Sequence, residues 1–85
     1  MQVRFHKSFR KRYKSAKKMQ KHVDERIALF IDDPFNPILN NHPLHGEYRN
    51  CRSINITGDW RAIYKLLAPD LAVFIILGSH SELYE

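Results

Sequence analysis

The sequence is poor in cysteine, with Cys51 as its single thiol, and it holds only three glycines. One cysteine cannot close an internal disulfide, so the fold has to be stable without the crosslinks on which small secreted domains depend. A long apolar run is also missing: no segment approaches the roughly 18 apolar residues of a membrane span, and the basic N-terminus lacks a signal-peptide core. These absences predict a globular cytoplasmic protein with no membrane partner.

Acidic residues are absent between Arg4 and Lys21, a stretch that holds most of the basic residues. The formal net charge of the 85 residues is +5. A chain of this length has room for one core and therefore for one domain, residues 1–85. A concentrated basic segment is typical of a surface that meets phosphates or an acidic protein, but it is also typical of a solvated helix face. Both interpretations stay open from the charge pattern alone.

The stretch from Arg52 to Tyr64 alternates polar and apolar residues on both sides of Gly58-Asp59, which predicts a β-hairpin. With residues 57–59 as the turn, Ile56 faces Trp60 across the hairpin. The apolar face then carries Ile54, Ile56, Trp60, Ala62 and Tyr64. The opposite face carries Ser53, Asn55, Arg61, Ile63 and Lys65 and is available for function.

One short strand and two helices are predicted before the hairpin. Residues 2–5 alternate in polarity, which predicts a strand at or next to the edge of a sheet. Ser8 is placed to cap a helix whose apolar stripe is Phe9, Tyr13 and Ala16. Proline disfavours helix in the residue before it, so a second helix ends at Asp32-Asp33-Pro34. Its apolar positions are Val23, Ile27, Phe30 and Ile31.

A loop rich in proline and asparagine, residues 34–46, leads to three predicted strands at 48–56, 60–67 and 71–77. The last is almost entirely apolar, which predicts a central strand with Leu77 on one face and Phe74 and Ile76 on the other. The predicted fold class is α+β: a short N-terminal strand, a two-helix hairpin, a three-stranded antiparallel meander and a short C-terminal helical turn. The helices cover one face of the sheet and leave the other concave and polar.

The order of these elements and three segments resemble the RelE/ParE toxin superfamily of bacterial toxin–antitoxin modules, and most of all its YafQ-like branch. The segments are 42–46 (HPLHG), 58–64 (GDWRAIY) and 78–84 (GSHSELY). The resemblance implies a RelE-like fold and a ribosome-dependent mRNA endonuclease that uses no metal or small-molecule cofactor. It further implies that mRNA in the ribosomal A site and rRNA are partners, and that a cognate acidic antitoxin holds the toxin inactive.

The same resemblance implies the site residues. Those expected in catalysis are His80, Arg61, Asp59, Tyr84 and His42. Asn55 and Trp60 are expected to bind the substrate, and Arg52 and Lys65 are added to them as further cations of the hairpin that can meet the phosphate. Two positions depart from the YafQ-like pattern, because Asn55 stands where a second hairpin histidine is usual and Ile76 stands where an arginine is usual. Arg61 occupies the position of the key arginine in RelE-like and YoeB-like relatives, so we expect it to replace the missing one.

The chemistry asks for these residue types independently of the family. Attack by a ribose 2′-hydroxyl needs a base, an acid for the 5′-oxygen, and donors for the charge that grows on the phosphoryl oxygens. Histidine suits either proton role, and the guanidinium of Arg61 can bind a phosphate through two parallel hydrogen bonds. A splayed base can stack on Trp60, Tyr84 can donate or orient, and Asp59 can hold an imidazole in one tautomer.

Other interpretations remain at this point. Asp59 is typical of a turn residue, Trp60 of a core residue, and His80 of the first turn of a helix. A zinc site at His42, His45 and His80 has no cysteine pair or closed ligand spacing to support it. At the level of function, the alternatives are a ParE-like toxin that binds a target such as DNA gyrase without catalysis, and an attenuated toxin that only binds its antitoxin.

Overall fold

The computed structural model describes residues 1–84 as three α-helices and five strands. In chain order these are β1 (Gln2–Phe5), α1 (Lys7–Ser15), α2 (Gln20–Asp32), β2 (His42–Pro43), β3 (Arg52–Thr57), β4 (Trp60–Ala68), β5 (Leu71–Ser79) and α3 (His80–Tyr84). Short 3₁₀ turns cover Lys17–Met19, Pro37–Leu39 and Gly46–Tyr48. No helix among these residues is long and apolar enough to cross a membrane.

The strands form one mixed sheet in the order β1-β5-β4-β3-β2. Strand β1 lies at an edge and runs parallel to β5, and the other pairs are antiparallel. The predicted α+β class, the edge position of the first strand and the antiparallel meander are therefore confirmed. Strand β2 was not predicted, because its two residues, His42 and Pro43, are too few to show an alternation.

The core lies between the two long helices and one face of the sheet. Phe30 of α2 is fully buried at its centre, with its ring centroid 4.8 Å from that of Tyr64 and 5.1 Å from that of Phe74. Val23 and Ile27 are buried beside it as their spacing predicts. Ile31, predicted on the same stripe, is instead 42% exposed and lies at the far end of the helix.

The hairpin has the predicted register except next to its turn. Ile54 pairs with Ala62 and Arg52 with Tyr64 as expected, but Thr57, not Ile56, faces Trp60. An irregularity between Asn55 and Thr57 leaves Ile56 outside the pairing, so Gly58 and Asp59 alone form the turn. Gly58 has a φ of +54°, which a glycine adopts without strain.

The cap of α1 differs from the prediction. Ser8 does not cap the helix: His6 does, because its ring Nδ1 accepts the backbone N–H of Ser8 at 3.1 Å. The Ser8 hydroxyl donates instead to the carbonyl of Ile75 at 2.6 Å and so joins the helix to β5. His6 was not predicted as the cap because the N-cap acceptor is usually a serine or aspartate oxygen and not a ring nitrogen.

The strand predicted at 48–56 begins four residues later, at Arg52. Gly46–Tyr48 is a 3₁₀ turn, and Asn50 has a φ of +71°, which is incompatible with an extended chain. Asparagine is among the few residues that adopt this conformation readily, so the break has a local cause in the sequence.

A second irregularity changes which side chains of β5 face the core. The pairing steps from Ile63 with Ile76 to Tyr64 with Phe74, so Ile75 is an extra residue on its strand. The alternation reverses across such a bulge. Leu77 therefore joins Phe74 in the core, although the two were predicted on opposite faces, and Ile76 lies on the other side of the sheet.

Candidate functional site

A cavity of about 310 Å³ opens on the face of the sheet away from the two long helices. Its walls come from three separate parts of the chain: the loop around β2, the start of β4 and the C-terminal helix α3. The residues that line it are Asn40, His42, Leu44, Arg61, His80 and Tyr84. Four of the five residues expected in catalysis, His80, Arg61, Tyr84 and His42, are thus brought together from distant positions in the sequence.

The register of the sheet explains why these residues meet. One cross-strand row on this face consists of Gly78, Arg61 and Asn55. The adjacent row consists of Ile76, Ile63, Ser53 and His42. Helix α3 follows directly after the first row, and the loop that carries His42 closes the second, so both flank the same patch of sheet.

Arg61 is held by the turn of the hairpin. Its Nη1 donates to the carbonyls of Gly58 and Trp60, both at 3.0 Å. These two bonds fix the orientation of the guanidinium while Nε and Nη2 have no partner among residues 1–84. A planar cation fixed on one side is well suited to bind a phosphate with its free side.

His42 is oriented by a single short contact. Its Nδ1 lies 2.7 Å from the carbonyl oxygen of Asn40. Because a carbonyl oxygen only accepts, Nδ1 must carry the proton, and in the neutral ring Nε2 is then an unprotonated acceptor. A backbone carbonyl therefore sets the tautomer of the His42 imidazole.

Helix α3 is short, and four contacts define its position. Ser79 and Glu82 form a reciprocal cap: the Ser79 N–H donates to the Glu82 carboxylate at 2.9 Å, and the Glu82 N–H donates to the Ser79 hydroxyl at 3.3 Å. The His80 N–H donates to the carbonyl of Asp59 at 2.7 Å, and Leu83 is buried. A Cβ on Gly78 would lie 3.3 Å from Leu83, so glycine permits the close approach of this helix.

The side chains of His80 and Tyr84, one helical turn apart, lie against each other. Their ring centroids are 4.7 Å apart, and Tyr84 contacts Tyr48 edge-on at 6.2 Å. Burial raises the pKa of the Tyr48 phenol, and the nearby Glu47 carboxylate and Tyr84 add to this shift. Tyr48 therefore stays protonated at neutral pH, and its neutral ring packs edge-on against that of Tyr84.

The floor beside the cavity is less polar than predicted. Ile63 and Ser53 are both fully buried on this face, and Ile76 is half-buried next to Ile63. The Ser53 hydroxyl and the Asn55 side-chain carbonyl are buried without a hydrogen-bond partner among the described residues. The expected concave polar face is thus a small apolar floor that carries two unpaired polar groups.

The remaining predicted residues lie outside the cavity. Arg52 is on the helix side, where its Nε donates to the side chain of Asn41 at 2.7 Å. Trp60 packs against the core, and the Arg12 guanidinium lies 4.7 Å from the centre of its ring. Lys65 is exposed farther along β4. Asp59 contributes its backbone carbonyl to His80, and its carboxylate has no hydrogen bond to a histidine within residues 1–84.

Sequence reasoning missed the ion pair that joins α1 to α3. Nη2 of Arg12 lies 3.0 and 3.1 Å from the two carboxylate oxygens of Glu82. The Ser79 N–H and the Arg12 guanidinium hold the pKa of the Glu82 carboxyl below its ordinary value. The Ser-x-x-Glu spacing of Ser79 and Glu82 was a readable sign of the cap, whereas nothing local to the sequence pairs Arg12 with Glu82.

In residues 1–84, no three His, Cys, Asp or Glu side chains are grouped so that they could hold a metal ion. His45, considered above as a zinc ligand with His42 and His80, is exposed and does not line the cavity.

A second concavity, of about 500 Å³, lies between α1 and α2 and is called the helix groove below. Its lining is apolar apart from its rim: Phe5, Phe9, Arg10, Tyr13, Lys14, Val23, Asp24, Ile27, Ala28 and Ile31. The Tyr13 hydroxyl donates to Asp24 at 2.7 Å and ties the two helices together across it. The exposed Ile31 is thus part of a continuous apolar surface.

The fold is shared with solved bacterial toxins. The YoeB/ParE toxin from Agrobacterium tumefaciens superposes with a TM-score of 0.76 at 20% identity, over 94% of this chain and 99% of that one. YafQ from E. coli strain BL21(DE3) gives a TM-score of 0.83 at 25% identity, over 98% and 97%. The E. coli DinJ-YafQ complex gives 0.80 at 25% identity, again over 98% and 97%. No curated protein matches the sequence.

The protein therefore has the fold of RelE/ParE-like toxins. The family model described as "Bacterial toxin of type II toxin-antitoxin system, YafQ" matches residues 1–85, and the chain belongs to this family. The resemblance stated from the three sequence segments is confirmed.

Proposed function

We propose that this toxin is a ribosome-dependent, metal-independent endonuclease that cleaves mRNA in the ribosomal A site. One observation carries the proposal: a single cavity holds two imidazoles, a phenol and a half-bonded guanidinium, which come from three distant segments. A protein that only binds a target does not need histidine and tyrosine side chains placed next to an arginine that can still bind a phosphate. Catalysis by 2′-hydroxyl attack needs this set.

The roles follow from how each group is held. His42, with Nδ1 bonded to the Asn40 carbonyl, presents Nε2 as the base that removes the proton of the 2′-hydroxyl. The 2′-oxygen attacks the adjacent phosphorus, and the bond from phosphorus to the 5′-oxygen breaks. A protonated His80 supplies the proton that this leaving oxygen needs. The products are an RNA end with a 2′,3′-cyclic phosphate and an RNA end with a 5′-hydroxyl.

Arg61 provides the fixed charge of the site. Two backbone carbonyls hold Nη1, so the guanidinium does not have to reorganise when charge grows on the phosphoryl oxygens. Ile76, one row away, lies on the same face as Arg61. An arginine at position 76 would therefore reach the same patch, which supports the view that Arg61 takes over its role.

We further propose that an acidic antitoxin anchors an amphipathic segment in the helix groove. The groove is apolar inside, Arg10 and Lys14 lie on its α1 side, and α1 has no acidic residue in its first turn. An acidic helix that buries apolar side chains between α1 and α2 would match both the surface and its charge. The E. coli relative has been solved as a complex named for a second protein, DinJ.

Expression of the chain alone in a bacterial host tests the proposal. We expect growth arrest and new 5′-hydroxyl ends within translated regions of mRNA, and we expect both to disappear when translation is stopped first. Co-expression of the proposed antitoxin, the acidic protein expected from the neighbouring open reading frame, should restore growth. Growth arrest with intact mRNA and inhibited DNA gyrase would instead support the ParE-like alternative, and no arrest at all would support an attenuated toxin.

A further inference from the structure

The C-terminal helix that carries His80 and Tyr84 is tied to α1 by one ion pair, Arg12 with Glu82. A helix of only five residues is far too short to be stable by itself, since isolated helices shorter than about 12–15 residues are marginal in water. Its position therefore depends on contacts with the rest of the molecule. Leu83 is the only buried side chain within it, and both proposed catalytic side chains are exposed.

Arg12 reaches α3 in a constrained geometry. Its guanidinium lies 4.7 Å from the centre of the Trp60 ring, while Nη2 contacts both oxygens of Glu82. This cation–π contact restricts where the guanidinium can lie, and so it restricts where the Glu82 carboxylate can meet it. Glu82 is itself fixed, because the same carboxylate accepts the Ser79 N–H that starts the helix. Arg12, Trp60 and Glu82 thus form a clasp between α1, the hairpin and α3.

We infer that Arg12 is a positioning residue: through the clasp with Glu82 and Trp60 it holds α3 in the orientation that places His80 and Tyr84 in the cavity. This role rests on the proposed endonuclease function, but it concerns a residue outside the cavity. Arg12 does not line the cavity and needs no contact with RNA to act in this way.

The magnitudes favour a role in positioning over a role in stability. Both partners are partly exposed, with side-chain accessibilities of 34% and 48%, and an ion pair this exposed contributes little to folding. A reacting group that is displaced by about 1 Å, in contrast, can lose a hundredfold in rate. Loss of the clasp should therefore lower catalysis far more than stability.

The test compares Arg12→Gln, Glu82→Gln and the double variant by single-turnover cleavage and by NMR of the Tyr84 ring. Tyr48 lies outside α3, and its ring at 6.2 Å shifts the Tyr84 ring protons, so their chemical shifts report the position of α3 without any substrate. Each single variant should move these shifts toward those of a free tyrosine. The maximal rate should fall about tenfold or more, with little change in the substrate concentration at half-maximal rate.

Three comparisons isolate the clasp. The double variant should be no worse than either single variant, because both break the same contact. Arg12→Lys keeps the charge but lacks the planar guanidinium that lies over the Trp60 ring. Its rate should therefore lie between those of Arg12→Gln and wild type. Lys11→Gln removes an equal charge from the same helix without touching α3. The Lys11→Gln variant measures how much of the effect of Arg12→Gln comes from the loss of one positive charge that attracts RNA. That loss should weaken RNA binding and leave the maximal rate unchanged.

Glu25→Gln, on the exposed side of α2, is the matched control for Glu82→Gln and should leave both readouts unchanged. The melting temperature of the clasp variants should fall by no more than about 4–8 °C, a small change for a domain of this size. Glu82→Gln still offers an oxygen to the Ser79 N–H, so the test holds even if Arg12→Gln folds poorly.

Unchanged Tyr84 shifts with an unchanged rate would overturn the inference. So would a loss confined to RNA binding and shared equally by Lys11→Gln, because Arg12 would then be one basic contact among several. If the wild-type protein cleaves no RNA, the proposed function fails, while the NMR comparison still decides whether the clasp positions α3.

Discussion

Individual side chains of the cavity differ in how the fold holds them. Arg61 and His42 are each bonded to backbone carbonyls on one side and open on the other. Within residues 1–84, His80 is held through its backbone and its contact with Tyr84. Backbone contacts of this kind survive most side-chain substitutions nearby, so the effect of replacing each residue can be read separately.

Arg61→Ala should reduce single-turnover cleavage about a hundredfold or more, by analogy with the loss of one preorganised donor at a developing charge. Stability should change little, because the side chain is half-exposed and bonds only to its own turn. Arg61→Lys keeps the charge and should recover part of the rate, but not the two-point contact with phosphate.

A normal rate in Arg61→Ala would show that Arg61 is not the group that holds the phosphate. Ile76→Arg adds the arginine that the YafQ-like pattern has at this position and so tests whether Arg61 already replaces it. If this substitution raises the rate strongly, the protein is a weakened member of its family and Arg61 does not fully replace the missing arginine.

The sequence was sufficient to find the residues that meet in the cavity, since His42, Arg61, His80 and Tyr84 stand in segments with family spacing. It was insufficient for Arg52 and Lys65, which were selected by charge and proximity to the hairpin. Arg52 lies in the row of Ile54 and Tyr64 along its strands, and alternation alone would have placed it on the helix side. Tyr48 and Arg12 were missed because only the folded chain brings them to α3.

At the scale of elements, irregularities in the strands decide which residues face the cavity. The extra residue at Ile75 sends Leu77 into the core and Ile76 to the opposite face. The irregularity at Ile56 is stabilised from α2, because Arg26 donates to the Ile56 carbonyl at 2.8 Å. A period-two pattern predicts the strands but contains no sign of an inserted residue, so these changes of face could not be predicted from sequence.

The attachment of α3 should depend on pH. The pKa of Glu82 is lower in the folded protein than in the unfolded chain because of the Ser79 N–H and Arg12. Its contribution to stability is therefore fully present above the unfolded pKa, about 4.3, and is lost as the pH falls through the folded value. The melting temperature of wild type should exceed that of Glu82→Gln at pH 7 by a small amount, and the two should converge in acid.

Thermal melts of both proteins between neutral pH and strong acid measure this difference. Glu25→Gln, which removes an equal charge at an exposed position of α2, serves as the control for the loss of one carboxylate. A gap between wild type and Glu82→Gln that stays constant with pH would mean that the Glu82 charge does not stabilise the fold.

For the whole molecule, the two proposed functions, catalysis and antitoxin binding, fall on separate concavities. The cavity lies on one face of the sheet, and the helix groove lies between the helices that cover the other face. An antitoxin anchored in the groove must therefore extend around the molecule to cover the catalytic residues. Anchoring and catalysis should then be separable by substitution.

Ala28→Glu places a charged side chain in the apolar groove and should weaken antitoxin binding by about thirtyfold or more, the effect of losing one central contact of about 2 kcal/mol. Growth arrest by the toxin alone should persist, since the cavity is untouched. Ala28→Ser, which leaves the groove open, is the control and should bind nearly normally. If Ala28→Glu is neutralised as well as wild type, the antitoxin binds elsewhere.

In the proposed mechanism, His80 and its neighbours cleave RNA without a metal. The decisive measurement is single-turnover cleavage on programmed ribosomes, with wild type and His80→Ala compared in the presence and absence of EDTA at a magnesium level that keeps ribosomes intact. A positioned acid or base contributes about a hundred- to ten-thousandfold, so His80→Ala should lose at least the lower figure. Its stability should stay within about 0.5 kcal/mol of wild type, as for most surface substitutions.

The account predicts 2′,3′-cyclic phosphate and 5′-hydroxyl ends, an equal wild-type rate with and without EDTA, and a folded, antitoxin-binding but inactive His80→Ala protein. A requirement for added zinc would contradict the mechanism. A folded His80→Ala protein that cleaves at the wild-type rate would show that the proton passes through another group, of which His42 is the next candidate.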